Sequence, residues 1–398
     1  MKTFYQLVII LILSLGFYSS TKAQIPPSQD PNWILNVAQS DEFNGTVIDQ
    51  TKWCIMQDAY CEQTVLPCDQ GHYERWGGSS IMMLNNVSVS NGICSLRVDN
   101  MNPYTYNTCY QHQNWVSDGI ATGGIMSQNS NYSYGYLEIS ALLPGCGTNG
   151  IAYAERFWPA FWAAYTCNGD PNGDCRTGNC RTIHNEIDIL EPSGTLYQGY
   201  NNYVDLQHQY CAPDSFPNNA PAYNCCNFNG TVPPNTHFTS PTPLCDAFHK
   251  YAVEWFPNRI VFYFDDVPFY IQYNSSTFTM HPLQIFIDQQ IQSSAANGGI
   301  DFNPNLTFPQ FMQVDYFHYY QLIFDCSNSI TLLSNTDVAN FFTAPVVKYD
   351  ITLGDNANSI SLNVGDNDVF RAENTITVNG SLTVPLGAKL LLLPTPCF

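Results

Sequence analysis

The chain has 398 residues, of which 44% are apolar and 14% aromatic, and its 13 Lys+Arg against 33 Asp+Glu leave a formal net charge of -20. Such an apolar fraction can fill a sizeable core and excludes disorder as the main state, while a charged fraction of only 12% excludes a long coiled coil. A chain this acidic, with no Lys/Arg run, repels a phosphate backbone, so nucleic acid is not expected as a partner.

At the N-terminus Lys2 precedes an unbroken apolar run over residues 7–13, and the small residues Thr21 and Ala23 stand just before Gln24. This pattern predicts a secretory signal peptide over residues 1–23, because the run falls well short of the roughly 20 residues that span a bilayer. An exported protein with no stable membrane anchor is therefore expected. Fifteen cysteines in an exported chain imply disulfides, and none of them forms a C-x-x-C pair of the zinc type. Pairing Cys326 with Cys397 would close a loop worth about 4 kcal/mol in the chain-entropy view. The odd count leaves at least one thiol without an intramolecular partner.

Further along, short runs rich in Val, Ile, Tyr, Phe and Thr recur between Gly, Pro, Asn and Ser, with no long stretch at a helical period. Strands are predicted at residues 134–142, 251–255, 260–264, 283–287 and 312–321, and helices should be few and short. Residues 145–154, 166–182 and 210–244 read as loops, the last two holding six of the cysteines. Beyond Asp325 the aromatic content drops and short Ile/Leu/Val/Thr runs alternate with Gly and Asn. The expected organisation is a catalytic β domain over residues 24–325 and a small accessory β module over residues 326–398. No internal repeat is evident, and the module has no Trp/Tyr cluster of the kind that stacks on sugars.

The chemistry concentrates in His184-Asn185-Glu186-Ile187-Asp188-Ile189-Leu190-Glu191-Pro192. On a regular strand Glu186 and Asp188 share a face and Glu191 points to the other. One extra residue inserted between Asp188 and Glu191 as a β-bulge would bring all three carboxylates to the same side. Clustered carboxylates raise one another's pKa, and glycoside hydrolysis needs that arrangement, with one acid attacking the sugar and another protonating the leaving oxygen. A calcium loop would place Asp, Asn and Gly between the acids rather than Ile and Leu. Upstream, Arg156-Phe157-Trp158-Pro159-Ala160-Phe161-Trp162 offers Trp158 as a platform for sugar rings and Trp162 as either a second platform or a core residue. Arg156 and His208 are further candidates for substrate contact, and His184 for the cleft rim.

These residues resemble glycoside hydrolase family 16. The pattern E-[ILV]-D-x-x-E is present as E-I-D-I-L-E, in the bulged form similar to laminarinases, agarases and carrageenases. The segments Asp41-Glu42-Phe43-Asn44-Gly45 with Trp53, Gly123-Gly124-Ile125, Tyr134-Gly135-Tyr136-Leu137-Glu138, Trp158 to Trp162, Phe248 to Trp255, and Phe308-Pro309-Gln310 with Val314-Asp315-Tyr316 follow in the family's order. The resemblance covers residues 38–321 and implies an all-β, concanavalin-like jelly-roll sandwich. It also implies Glu186 as nucleophile, Asp188 as the carboxylate that orients and tunes it, and Glu191 as general acid/base. No cofactor is required for this chemistry, although some members hold a structural calcium through positions resembling Glu42 and Asp315. The partner implied is a polysaccharide substrate, and a monomer is expected.

Residues 284–292 depart from the family's usual Asn-containing, Gly-Gly-ending stretch, and the cysteine-rich loops are longer than usual, which leaves the substrate open. A secreted, retaining endo-hydrolase of a β-1,3-glucan is the first expectation. A hydrolase of agar- or carrageenan-type galactans is the alternative, because Arg156, Arg176 and Arg181 lie just upstream of Glu186 and arginine pairs well with sulfate. A transglycosylase, or a lectin-like protein that binds sugar without cleaving it, would use the same fold.

Overall fold

Alternation along single strands already divides the chain into two faces. In the computed structural model, which describes residues 26–56, 80–100, 105–107, 114–116, 120–129, 131–145, 157–164, 186–191, 201–204, 236–239, 244–256, 259–273, 282–291, 307–395 and 397, the strand Gly135–Leu142 shows this most simply. Leu137, Ile139 and Ala141 enter the main core, and Tyr136, Glu138 and Ser140 take the opposite face. At the start of that strand Gly135 has φ +119°, and a Cβ there would lie 2.4 Å from the Tyr320 carbonyl oxygen, so no other residue fits.

Gly135–Leu142 lies inside a ten-stranded sheet, between His249–Phe256 and Gln310–Gln321 and antiparallel to both. A second sheet of five strands runs in the order Glu186–Leu190, Phe157–Ala164, Gln284–Ile291, Gly124–Ser127, Trp53–Ile55. Phe161, Ile187, Ile285 and Ile287 of the smaller sheet pack against Leu137, Val253, Phe262 and Phe317 of the larger in one apolar core. The result is a β-sandwich, and the strand over Gln284–Ile291 continues four residues past its predicted end. Among the described residues no helix is long and apolar enough to cross a membrane. The signal segment and the loops over residues 166–182 and 210–243 lie outside them, as does most of 145–154.

Cys94 sits within this core, unexposed, and is the free thiol among the described residues. Burial pushes its thiol well above the usual range. Cys94 is therefore expected to react with a thiol reagent only after unfolding in denaturant, read by peptide mapping without reductant. Modification in native buffer would show that the core opens there.

From Phe324, two residues before the expected boundary, the chain enters a separate sheet of parallel strands. Val347–Leu353, Asn367–Val378 and Lys389–Pro394 stack side by side, with Ile360 paired to Leu382 and Val369 to Leu391, partners 22 residues apart. Successive turns of chain thus pile up as coils, a structural repeat that corrects the expectation of none. A short helix, Asn335–Phe341, is capped reciprocally: the Ser334 hydroxyl accepts from the Asp337 amide and the Asp337 carboxylate accepts from the Ser334 amide. Cys326 and Cys397 are joined in a disulfide, which ties the last strand back to the first coil.

This module is docked rather than tethered. Asp30 and Arg371 form an ion pair with both side chains fully buried, Arg371 donating to one carboxylate oxygen from Nε at 2.8 Å and from Nη2 at 2.5 Å. Asn32 donates to the other Asp30 oxygen and to the Val369 carbonyl, each at 2.6 Å, and the guanidinium lies 5.6 Å over the Trp33 ring. Trp33, Tyr136, Phe256 and Tyr263 then join Leu322 and Val347 in an apolar cluster on the outer face of the ten-stranded sheet.

Candidate active site

The acid strand occupies one edge of the five-stranded sheet, antiparallel to Phe157–Ala164. Their register pairs Glu186 with Ala164, Ile187 with Ala163 and Asp188 with Trp162, and then shifts so that Leu190 faces Phe161. Ile189 is the extra residue. Ile187, Ile189 and Leu190 all lie in the main core at 1% exposure or less, and two consecutive residues on one side are what a bulge produces. Asp188 is left on the outer face, and the shift returns position 191 to that face, where Glu191 is half-buried. Glu186 holds the strand position two before Asp188; its side chain lies outside the described set.

Trp162 stands opposite Asp188 on one side and Phe286 on the other. Its ring stacks on Phe286 at 4.2 Å and 17°, and its N–H donates to Asp288 Oδ2 at 2.8 Å. With 6% exposure and its N–H bonded to Asp288, Trp162 is packed in the wall of the site, the core alternative left open for it by the sequence. Trp158, opposite Gln290 in the same register, is less buried and keeps the open position. Arg156, His184 and His208 lie outside the described residues.

Asp288 is the participant that motif reading missed. It is unexposed, accepts from Trp162 and from Gln290 Nε2 at 3.0 Å, and desolvation pushes its carboxyl up to about 6 although both hydrogen bonds pull the other way. Gly124 faces it across the next strand, where a Cβ would come within 2.8 Å of the Asp288 Cβ and 3.0 Å of the Met56 sulfur. A sequence signal existed: one acid in the otherwise uncharged run Gln284–Ile291.

Glu42 accepts or shares a hydrogen with His318 Nε2 at 2.6 Å, and Asp315 is exposed where the register shifts opposite Ser140 and Ala141. Neither belongs to a group of three metal-ligating side chains among the described residues; the one such group, Cys326, Glu373 and Cys397, contains the disulfide.

A β-sandwich whose smaller sheet carries interleaved acids on its outer face, beside aromatic walls, has the build of a carbohydrate-cleaving jelly roll. A profile described as "Beta-porphyranase A-D, GH16 domain" matches residues 33–322, and the chain belongs to glycoside hydrolase family 16. It is 24% identical over 300 residues to the glucan endo-1,3-beta-glucosidase A1 of Niallia circulans, covering 72% of this chain and 38% of that protein. It is 27% identical over 178 residues to beta-porphyranase D of Zobellia galactanivorans, covering 43% of this chain and 35% of that protein. The chain thus spans little more than a third of the length of either relative. A laminarinase from Flavobacterium sp. UMI-01 superposes with a TM-score of 0.47 at 21% identity, over 71% of this chain and 98% of that one.

Proposed function

We propose that the protein is an exported, retaining endo-hydrolase of a sulfated galactan of the porphyran type. The observation that carries this reading is the porphyranase-type match across residues 33–322. Charge adds support. A polymer bearing sulfate is repelled by a chain of net charge -20 unless cations gather where it binds, and Arg156, Arg176 and Arg181 are three of only seven arginines, all within thirty residues before Glu186.

In this reading Glu186 attacks the anomeric carbon and forms a glycosyl-enzyme ester as Glu191 gives its proton to the departing oxygen. Glu191 then takes a proton from water, which breaks the ester and frees the product. Asp188, 4% exposed between the two in sequence, orients the nucleophile and tunes its charge. The bulge at Ile189 supports this division of labour, since a regular strand would send Glu191 into the core with Ile187.

Glu191→Gln is expected to lower turnover of the natural polymer about 100-fold or more, within the usual range for losing a general acid. An aryl glycoside with a good leaving group should lose far less in its bond-breaking step. Equal losses on both would remove Glu191 from the acid/base role. A second reading, cleavage of a β-1,3-glucan, is favoured by the 300-residue likeness to the Niallia circulans glucanase. Reducing-sugar release against porphyran, agarose, carrageenans, laminarin and mixed-linkage glucan separates the two. Release from porphyran but not from laminarin is the expected result. Release from laminarin alone would establish the second reading, and binding without release from any polymer would make the protein lectin-like.

A further inference from the structure

We propose that Asp288 is the positioning residue of the acid strand: by holding the Trp162 indole it fixes the bulge that sets Asp188 and Glu191 on one face. The catalytic consequence rests on the reading of Glu191 as general acid. Trp162 is the residue at which the register between the two strands shifts, and its backbone partner is Asp188. Whatever fixes Trp162 fixes the neighbouring strand where the extra residue enters. Restraints on it include pairing to strands on both sides, the Phe286 stack, and the bond to Asp288.

The chemistry at Asp288 suits this task. Both approaching groups, the Trp162 indole and the Gln290 amide, are donors, and a carboxylate accepts on both oxygens. Burial makes a carboxylate costly there, so the hydrogen bonds must hold it, and the neighbouring strand approaches so closely that a Cβ at Gly124 would lie 2.8 Å from the Asp288 Cβ. Asparagine can replace it in one geometry: its oxygen accepts from Trp162 and its amide donates to a flipped Gln290 side chain. Leucine has the volume and no acceptor. Trp162→Phe keeps a ring on Phe286 and removes the donor.

These three variants, with wild-type and the double variant Asp288→Leu/Trp162→Phe, test the idea by kinetics and by backbone amide spectra of the ¹⁵N-isoleucine-labelled full chain. Asp288→Leu is expected to lower kcat on the cleaved polymer about 100-fold, the scale of a misplacement of about 1 Å, with KM within about twofold. An activated aryl glycoside should lose less than a tenth as much, because the acid is the group displaced. Asp288→Asn should recover most of the loss, and the double variant should be no worse than Asp288→Leu alone. The amide signals of Ile187 and Ile189 should move in Asp288→Leu and return in Asp288→Asn. Melting curves confirm that each variant is folded; if Asp288→Leu is not, Trp162→Phe carries the same test. Unmoved Ile187 and Ile189 signals, additive losses, or equal losses on polymer and aryl glycoside would overturn the proposal. If wild-type cleaves no polysaccharide, the functional reading fails, while the amide signals still decide whether Asp288 holds the strand.

Discussion

Glu186→Gln is expected to abolish turnover, with kcat falling about 10⁴-fold or more, as when a covalent nucleophile is removed. Gln has the same shape and can hydrogen-bond but cannot form the ester intermediate, so the first half of the reaction has no acceptor for the sugar. The backbone at position 186 is paired with Ala164 through ordinary strand bonds, which the exchange leaves in place. Oligosaccharide binding should therefore stay near wild-type strength when measured by calorimetry. Full turnover by the variant would assign the nucleophile elsewhere, and lost binding together with lost turnover would point to damage of the strand.

Arg371→Ala is expected to be the most destabilising single change in the C-terminal module, costing about 3–5 kcal/mol, because it leaves the Asp30 carboxylate buried with its charge unpaired. Asp30 also accepts from the Asn32 side chain, but Asn32 is neutral and cannot replace the guanidinium. Removal of Arg371 further takes a cation from the face of Trp33 and a donor from Thr395. Since Trp33 packs on Tyr136 and Phe256 of the ten-stranded sheet, the loss should lower the unfolding midpoint of the sandwich as well as of the module. Replacing both partners, Asp30→Leu with Arg371→Met, should recover much of the stability, because no lone charge remains. An unfolding midpoint unchanged by Arg371→Ala, or a module that melts separately from the sandwich, would show that the two parts are not clasped there.

What could be read in the sequence was what local chemistry determines. Alternation predicted the strand around Leu137, Ile139 and Ala141, and the parity of Glu186, Asp188 and Glu191 predicted the bulge now seen at Ile189. What escaped depends on partners distant along the chain. Asp288 looks like a stray acid until Trp162, 126 positions away, is placed beside it. Asp30 and Arg371 are 341 positions apart, and nothing near either marks the pair. The coils of the module escaped for another reason. Ile360 and Leu382 are 22 positions apart but Ile351 and Ile376 are 25 apart, so the repeat is short, uneven and built from interchangeable apolar residues. Trp162 stayed open between core and cleft because its neighbours Phe157, Ala160 and Phe161 read equally well as either.

The proposed roles of Glu186 as nucleophile and Glu191 as acid/base imply a particular stereochemistry. The most direct test is the anomeric configuration of the first-formed product, followed by ¹H NMR during early cleavage of the polymer that wild-type accepts. A double-displacement route through Glu186 releases the β-anomer first from a β-linked substrate, with the α-anomer appearing only as the sugar mutarotates. Release of the α-anomer first would mean a single displacement by water, and would contradict the assignment of Glu186 as nucleophile and Glu191 as its acid/base.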